Sequence, residues 1–331
     1  MAPNDPDLPR DDSIPEPMHE FITRFSDEAE CERVLRKWKY GGHFRCPEPG
    51  CDSESAIPIA TRNLDQCSRC GKQVSLKSGT VMHASDKPLS LWFFALYYFV
   101  ESKQGISAME LKRRLGVSYP TAWAWLHKMR SAVGQRSIEM LEGIVEADET
   151  WEGGLAKGSP GRPSAGGKKA LIAAAIEHGP TGYGLGRLRL ARLVDGSAAS
   201  LKSFLENNVS PGTTLLTDDW RSYRKPAADL GYQHEAVNVS KSQAKAHEVL
   251  PGVHRVFSLL HRVLAGTYQG AVSHAHLPAY LAEYEFRFNR RNSASRALLF
   301  QRALSFATMQ RPPTYHQLRR CRGPKIAAEV S

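Results

Sequence analysis

No stretch of this sequence stays apolar for the ~20 residues that crossing a bilayer takes. The longest candidate, LSLWFFALYYFV at 89–100, is too short and too aromatic for a span and suits a buried helix. A basic and then apolar leader is missing as well, so the N-terminus does not read as a signal peptide. Cysteine is scarce, at six in 331 residues. Four of the six share one pattern, and Cys31 and Cys321 read as plain thiols. That leaves no disulfide framework and points to a reducing, cytoplasmic compartment. Acidic residues are outnumbered: 34 Asp and Glu against 44 Lys and Arg leave a net charge of +10 and a pI near 9.3. The imbalance favours a polyanionic partner, nucleic acid first. No internal repeat is visible. A hydrophobic fraction of 41% is enough for a core and argues against wholesale disorder.

What is present begins with Cys46, Cys51, Cys67 and Cys70. They form a C-x4-C pair and a C-x2-C pair on either side of a short linker. Two close pairs at such a separation can wrap one tetrahedral Zn²⁺. With thiolates in all four places no position is left for water, so the expected role is structural. His43 and His83 flank the knuckle and read as surface or DNA-facing residues, not ligands.

The length suggests two or three domains. Residues 1–17, rich in Pro and Asp, read as a disordered tail. Residues 18–87 read as an N-terminal helix, capped by Ser26 with Phe25, Ala29, Val34, Leu35 and Trp38 on its apolar face, followed by a zinc ribbon. Residues 88–140 read as three helices in helix-turn-helix order. The second ends at Gly116 and the third has Pro120 in its first turn. Residues 141–305 read as an α/β domain: three strands, a helix, a strand, a helix, a strand, then helices. That is the order of a ribonuclease-H-like sheet. Within it lies a Gly-, Pro- and Lys-rich loop, 155–169, whose charge suits a phosphate backbone. Residues 306–331 read as a C-terminal tail.

Two strand-end acids stand out. Asp148 follows the strand-like stretch GIVEA, and Asp218 follows TLLT. In a ribonuclease-H-like sheet the first and fourth strands are neighbours, so both carboxylates would meet at one edge. Two carboxylates that close repel unless a cation lies between them. Divalent ions held by oxygen would activate a water or a 3′-hydroxyl and stabilise the leaving oxygen. Glu149 and Asp219 are immediate neighbours and project to the other face. Asp219 is the rival to Asp218 wherever the strand register slips by one residue.

The chain resembles the zinc-ribbon insertion-sequence transposases of the ISXO-like group, within the DDE superfamily. The resemblance runs from about residue 20 to residue 305. It is carried by the four-cysteine ribbon, SGTVMHASDKPLSLWF, VEADETWEGG, TDDWRSY, HRVFSLLHR with GTYQGAVS, and EYEFRFNRR, in that order. It implies DNA cleavage and strand transfer at element ends with Mg²⁺ or Mn²⁺, on a ribonuclease-H-like domain. It assigns the first acid to Asp148, the second to Asp218, and the third position, which is Glu, Asn or His in such transposases, to His254. Imidazole is a poorer Mg²⁺ ligand than carboxylate, so His254 would ligate Mn²⁺ or carry a proton. Glu283 and Glu285 are the alternative third acids. Where such transposases usually place a DNA-holding Lys, this chain has His261; either Arg262 beside it compensates, or this copy is weakened.

The expected partner is double-stranded DNA, as element ends and target. Lys112, Arg113 and Arg114 on the second helix, and Lys128 and Arg130 on the third, would hold phosphate. Tyr119, Thr121 and Ala122 would face bases. Of Trp123 and Trp125, two apart on a helix, one should pack and the other stay near the surface. Cutting two ends in concert implies a homo-oligomer on DNA, and the working place is the nucleoid, with no membrane partner. Two other readings share these residues: a non-catalytic DNA-binding regulator derived from a transposase, and a nuclease or resolvase that cleaves without joining.

Overall fold

In a computed structural model of the chain, the described residues are 11, 13–62, 64–134, 139–153, 169–179, 184–237, 249–293, 295–309 and 312–320. They fall into two compact units, 3–136 with 292–320, and 137–291.

Asp27 breaks the first unit's opening helix in two. Helices α1 (Met18–Phe25) and α2 (Glu28–Tyr40) replace the single helix expected. The Asp27 carboxylate accepts from Ala29 N at 3.0 Å and starts α2. Ser26 is therefore not the cap; its hydroxyl bonds back to Ile22 O at 2.7 Å. Cys31 is buried on α2 where Ala29 was expected, and Ala29 is exposed. The end of the expected tail is also bound in. Asp11 N donates to Gln301 Oε1 at 2.8 Å, Gln301 returns a bond to Asp11 O at 2.9 Å, and Ile14 is buried.

The ribbon follows as β1 (Ala56–Ile59), β2 (Leu64–Cys67) and β3 (Gln73–Val74), antiparallel in that order. Strands of two to four residues bury too little to hold themselves. Then come α3 (Leu89–Glu101), α4 (Ala108–Leu115) and α5 (Tyr119–Gly134). Ser107 caps α4 through Glu110 N at 3.1 Å, and Gly116 ends it at φ +67°, a left-handed position that disfavours any side chain. Trp125 is the tryptophan that packs, stacked on Trp92 with centroids 3.9 Å apart, while Trp123 stays half-buried.

The second unit is one five-stranded sheet: β4 (Ile144–Glu152), β5 (Ala170–His178), β6 (Leu185–Leu193), β7 (Thr214–Asp218) and β8 (Gln233–Val237). The strand order is β6-β5-β4-β7-β8. The first three are antiparallel neighbours, and β4-β7 and β7-β8 are parallel. Alternation sorts the faces. Val145, Ala147, Ala173 and Leu215 pack with Leu201 and Phe204 of α6 (Ala198–Asn208) and Tyr223 of α7 (Arg221–Asp229). Ala174, Ile176 and Leu216 pack with Val253, Val256 and Phe257 of α8 (Pro251–Gly266) and Phe288 of α9 (Leu277–Phe288). The result is a mixed α/β layer structure with the first and fourth strands adjacent, as the sequence led us to expect.

The edge strand β6 is closed by side chains. Asn289 exchanges two bonds with the Leu188 backbone at 2.7 and 2.9 Å, and Glu285 accepts from Leu190 N at 2.9 Å. Both satisfy edge groups that would otherwise template another strand.

Two further helices, α10 (Arg296–Met309) and α11 (Tyr315–Arg320), belong to the first unit. This differs from the expected α/β domain ending at 305. Phe300 of α10 packs on Phe21, Phe25 and Phe93 at 4.8, 6.0 and 5.6 Å. Nearly every position of α10 is buried, so it shows no one-sided stripe in the sequence. Residues 154–168, most of the basic loop, and Cys321 lie outside the described residues.

Candidate active site and metal centre

The four ribbon cysteines converge. Cys46 and Cys70 sulfurs lie 3.5 Å apart, Cys51 and Cys67 sulfurs 3.7 Å, and all four within 4.8 Å of one another. Four thiolates ~2.3 Å from one Zn²⁺ would be ~3.8 Å apart at the corners of a tetrahedron. The donor set therefore fits zinc. Among the described residues, these cysteines form the only group of three or more side chains gathered closely enough to hold an ion.

In the second unit the ladder between β4 and β7 pairs Ile144 with Thr214, Val145 with Leu215 and Glu146 with Leu216. The same offset carries Asp148 to the level of Asp218, beyond the last bonded pair. Alternation puts both on the α8 face, at the carboxyl end of the parallel strand β7, where open α/β sheets bind ligands. His254, in the first turn of α8, places Nε2 3.7 Å from Asp148 Oδ2. Asp148 Oδ1 accepts from Glu149 N at 2.8 Å, and Asp218 Oδ1 from Trp220 N at 3.2 Å.

The neighbouring acids face elsewhere. Asp219 is ion-paired with Arg224 at 2.6 Å. Glu149 accepts from Tyr223 OH at 2.7 Å, and full burial with Glu149 beside it pushes the Tyr223 phenol far above its ordinary range. The alternative third acids serve α9. Glu283 is paired with Arg287 and accepts from Tyr268 OH, and Glu285 holds the β6 edge beside Arg189.

The expected DNA contacts divide by burial. Lys112, Arg113, Arg114 and Tyr119 are exposed, and Arg114 also pairs with Glu110 at 2.8 Å. Ala122 is fully buried and Arg130 is 1% exposed, so neither presents itself to a groove. Lys128 is half-buried, donates to His83 O at 3.3 Å, and is pulled down in pKa by desolvation. Thr121 and Lys128 line a cavity of about 380 Å³ shared with Pro312, Pro313 and Tyr315. The helix α5 is a core helix, and α4 and the first turn of α5 are its accessible end. Arg262 is exposed, whereas His261 Nε2 lies 3.3 Å from Glu152 Oε2.

Sequence reasoning passed over Glu146 and His178. Glu146 lies two residues before Asp148 on the same strand face. It is 1% exposed, with Oε1 2.8 Å from His178 Nε2 and Oε2 accepting from Val253 N at 2.8 Å. The period of two was the available signal: an acid on the same face as Asp148 and buried with it.

Residues 140–289 match the ISXO2-like transposase domain, and residues 26–73 match the transposase zinc-ribbon domain. A protein of Halobacterium salinarum, described as an uncharacterized protein in transposable element ISH50, is 28% identical over 131 residues. The match covers 39% of this chain and 43% of that protein, so the chain spans less than half the length of this relative. Two solved structures of Mos1, a strand transfer complex and a mariner paired end complex with Mn, are each 14% identical. They cover 69% and 68% of this chain and 76% of their own, with TM-scores of 0.27 and 0.26. No helix among the described residues is long and apolar enough to cross a membrane.

Proposed function

From a chain that carries an ISXO2-like transposase domain behind a transposase zinc-ribbon domain, we propose a DDE-type transposase that cuts the ends of its own element and joins them to target DNA. The reading rests above all on Asp148 and Asp218, which the β4–β7 register, continued past its last bonded pair, brings to one level and one face, with His254 3.7 Å from the first. On this reading the domain is ribonuclease-H-like, and 18–87 and 88–140 serve to find the terminal repeats.

Asp148 and Asp218 are the carboxylates that would hold Mg²⁺ or Mn²⁺; with His254 they are not drawn into a three-ligand group in this structure, which leaves the imidazole to carry a proton. When bound, such ions lower the pKa of the attacking hydroxyl and stabilise the leaving oxygen. The chain's own groups do the remainder. The two carboxylates are hard oxygen donors, the kind such ions prefer. His254 accepts the proton released by water or 3′-hydroxyl, because imidazole changes charge near neutral pH. In cleavage, water attacks phosphorus and the 3′-oxygen leaves. In joining, that 3′-hydroxyl attacks a target phosphodiester and a new 3′-oxygen leaves. Lys112, Arg113, Arg114 and Arg262 would hold backbone phosphates, Tyr119 would lie nearest to bases, and the working assembly is a homo-oligomer on DNA at the nucleoid.

The test is cleavage of the element's own ends with Mg²⁺ or Mn²⁺, beside Asp148→Ala and Asp218→Ala. Loss of cleavage in both variants, with DNA binding kept, is the expected result; cleavage retained by either overturns its assignment. Joining of a pre-cut end separates a transposase from a nuclease, which yields no joined product. A non-catalytic regulator predicts that an Asp148→Asn protein keeps all cellular function.

A further inference from the structure

Helix α8 has no cap of its own. Leu250 stands at its N-cap position and makes no side-chain bond to the helix. The first turn of a helix leaves backbone N–H groups unpaired and carries partial positive charge. Here a carboxylate from the sheet fills that place. Glu146 Oε2, on β4, accepts from Val253 N at 2.8 Å, in the interior of the protein. Its other oxygen lies 2.8 Å from His178 Nε2, on β5. Gly252 makes the approach possible: a Cβ there would sit 3.0 Å from Oε2 and 3.1 Å from the carboxyl carbon. Three elements are thereby tied at one point. The next residue of the helix after Val253 is His254, and the next residue of the strand on this face after Glu146 is Asp148.

We propose that Glu146 is a positioning residue, a strand-borne cap that fixes the start of α8 so that His254 meets Asp148. The proposal rests on the reading of Asp148 and His254 as reacting groups. Distance explains the residue types. An aspartate at 146 falls one methylene short of Val253 N, and any side chain at 252 pushes the carboxylate away. The role requires an acceptor for Val253 N and a partner for His178, which a glutamine amide also supplies.

The experiment uses the full chain and element-end DNA. Single-turnover cleavage is followed across Mn²⁺ concentrations, with DNA affinity and thermal unfolding measured in parallel. Displacing a reacting group by about 1 Å costs about 100-fold in rate. Glu146→Ala is expected to slow cleavage by about that factor at saturating DNA and Mn²⁺, and Gly252→Ala, whose Cβ calls for a shift of only a few tenths of an ångström, by several-fold, both with DNA affinity unchanged. Glu146→Gln is expected to recover most of the rate. If Glu146→Ala does not fold, Gly252→Ala and Glu146→Gln carry the test. Parent-like cleavage by Gly252→Ala, or a Glu146→Gln as slow as Gly252→Ala, overturns the proposal. So does a loss of rate that merely tracks loss of fold and DNA binding. Asp148→Ala runs alongside. If it still cleaves, the active-site reading has failed; if it is dead while the Glu146 and Gly252 variants cleave like the parent, only the positioning role has failed.

Discussion

His261 lies 3.3 Å from Glu152, one step further along the same helix and strand than His254 and Asp148. Seven helical residues rise about 10.5 Å and four strand residues about 13 Å. The helix α8 and strand β4 therefore run side by side in one direction, with a histidine meeting an acid at both levels. The residue found where related transposases usually place a DNA-holding lysine faces a carboxylate of its own sheet.

A longer cation there should reach past Glu152 to solvent. His261→Lys is expected to tighten binding to element ends and to steepen the salt dependence by about 0.9 in log K per log salt, one extra phosphate contact. Fluorescence anisotropy over a salt series measures both, and an unchanged slope rules out this position as a phosphate contact.

Asp218 and Asp219 are adjacent and chemically alike, yet Asp219 is ion-paired with Arg224. Asp219→Asn should therefore leave end cleavage within a few-fold of the parent. A surface pair is worth about 0–1 kcal/mol, so stability should move little. Asp218→Asn should abolish cleavage. The reverse ranking would mean that the strand presents its acids one residue out of step.

Arg113 and Arg130 should behave oppositely. Arg113 is exposed on α4, and Arg113→Ala is expected to weaken DNA binding and to lower the salt slope by about 0.9. Arg130 is buried, and Arg130→Ala is expected to lower the melting temperature and to leave the salt slope of the folded protein unchanged. Thermal unfolding and anisotropy together test both.

Zinc removal should unfold the ribbon. Its strands are two to four residues long, and metal binding in such modules is folding free energy. One zinc per chain is expected by elemental analysis. Chelation or Cys67→Ser should remove amide-exchange protection from 46–74 while leaving the sheet of 144–237 protected. Protection unaffected by chelation would show that the ribbon stands without metal.

Burial pushes the Glu285 carboxyl up to about 7 from an ordinary 4.5, against the pull of Arg189. Between those values the folded protein keeps a proton that the unfolded chain has released, so stability falls as pH rises through the window. Glu285→Gln cannot ionise, and its amide oxygen can still accept from Leu190 N. It should flatten the decline between about pH 4.5 and 7. Urea unfolding at pH 5 and pH 8 measures this, and equal declines in parent and variant would refute the burial argument.

Features set by local chemistry were legible in the residues alone. Four cysteines at short spacing name their own ligand set, because the ribbon brings nearby residues together. The strand and helix order from Ile144 to Phe288 followed from apolar periodicity, and so did the candidate acids at the strand ends. Matters that depend on distant partners were fixed by packing between elements. Arg130 looked like a phosphate ligand until the surrounding helices enclosed it. Helix α10 was invisible because burial on nearly all sides erases the stripe that marks a surface helix. Glu146 drew no notice in the sequence, and its value as a cap exists only because Val253 and Gly252, far along the chain, pack against it. Periodicity reports which face of an element is buried; what that face is buried against is a property of packing.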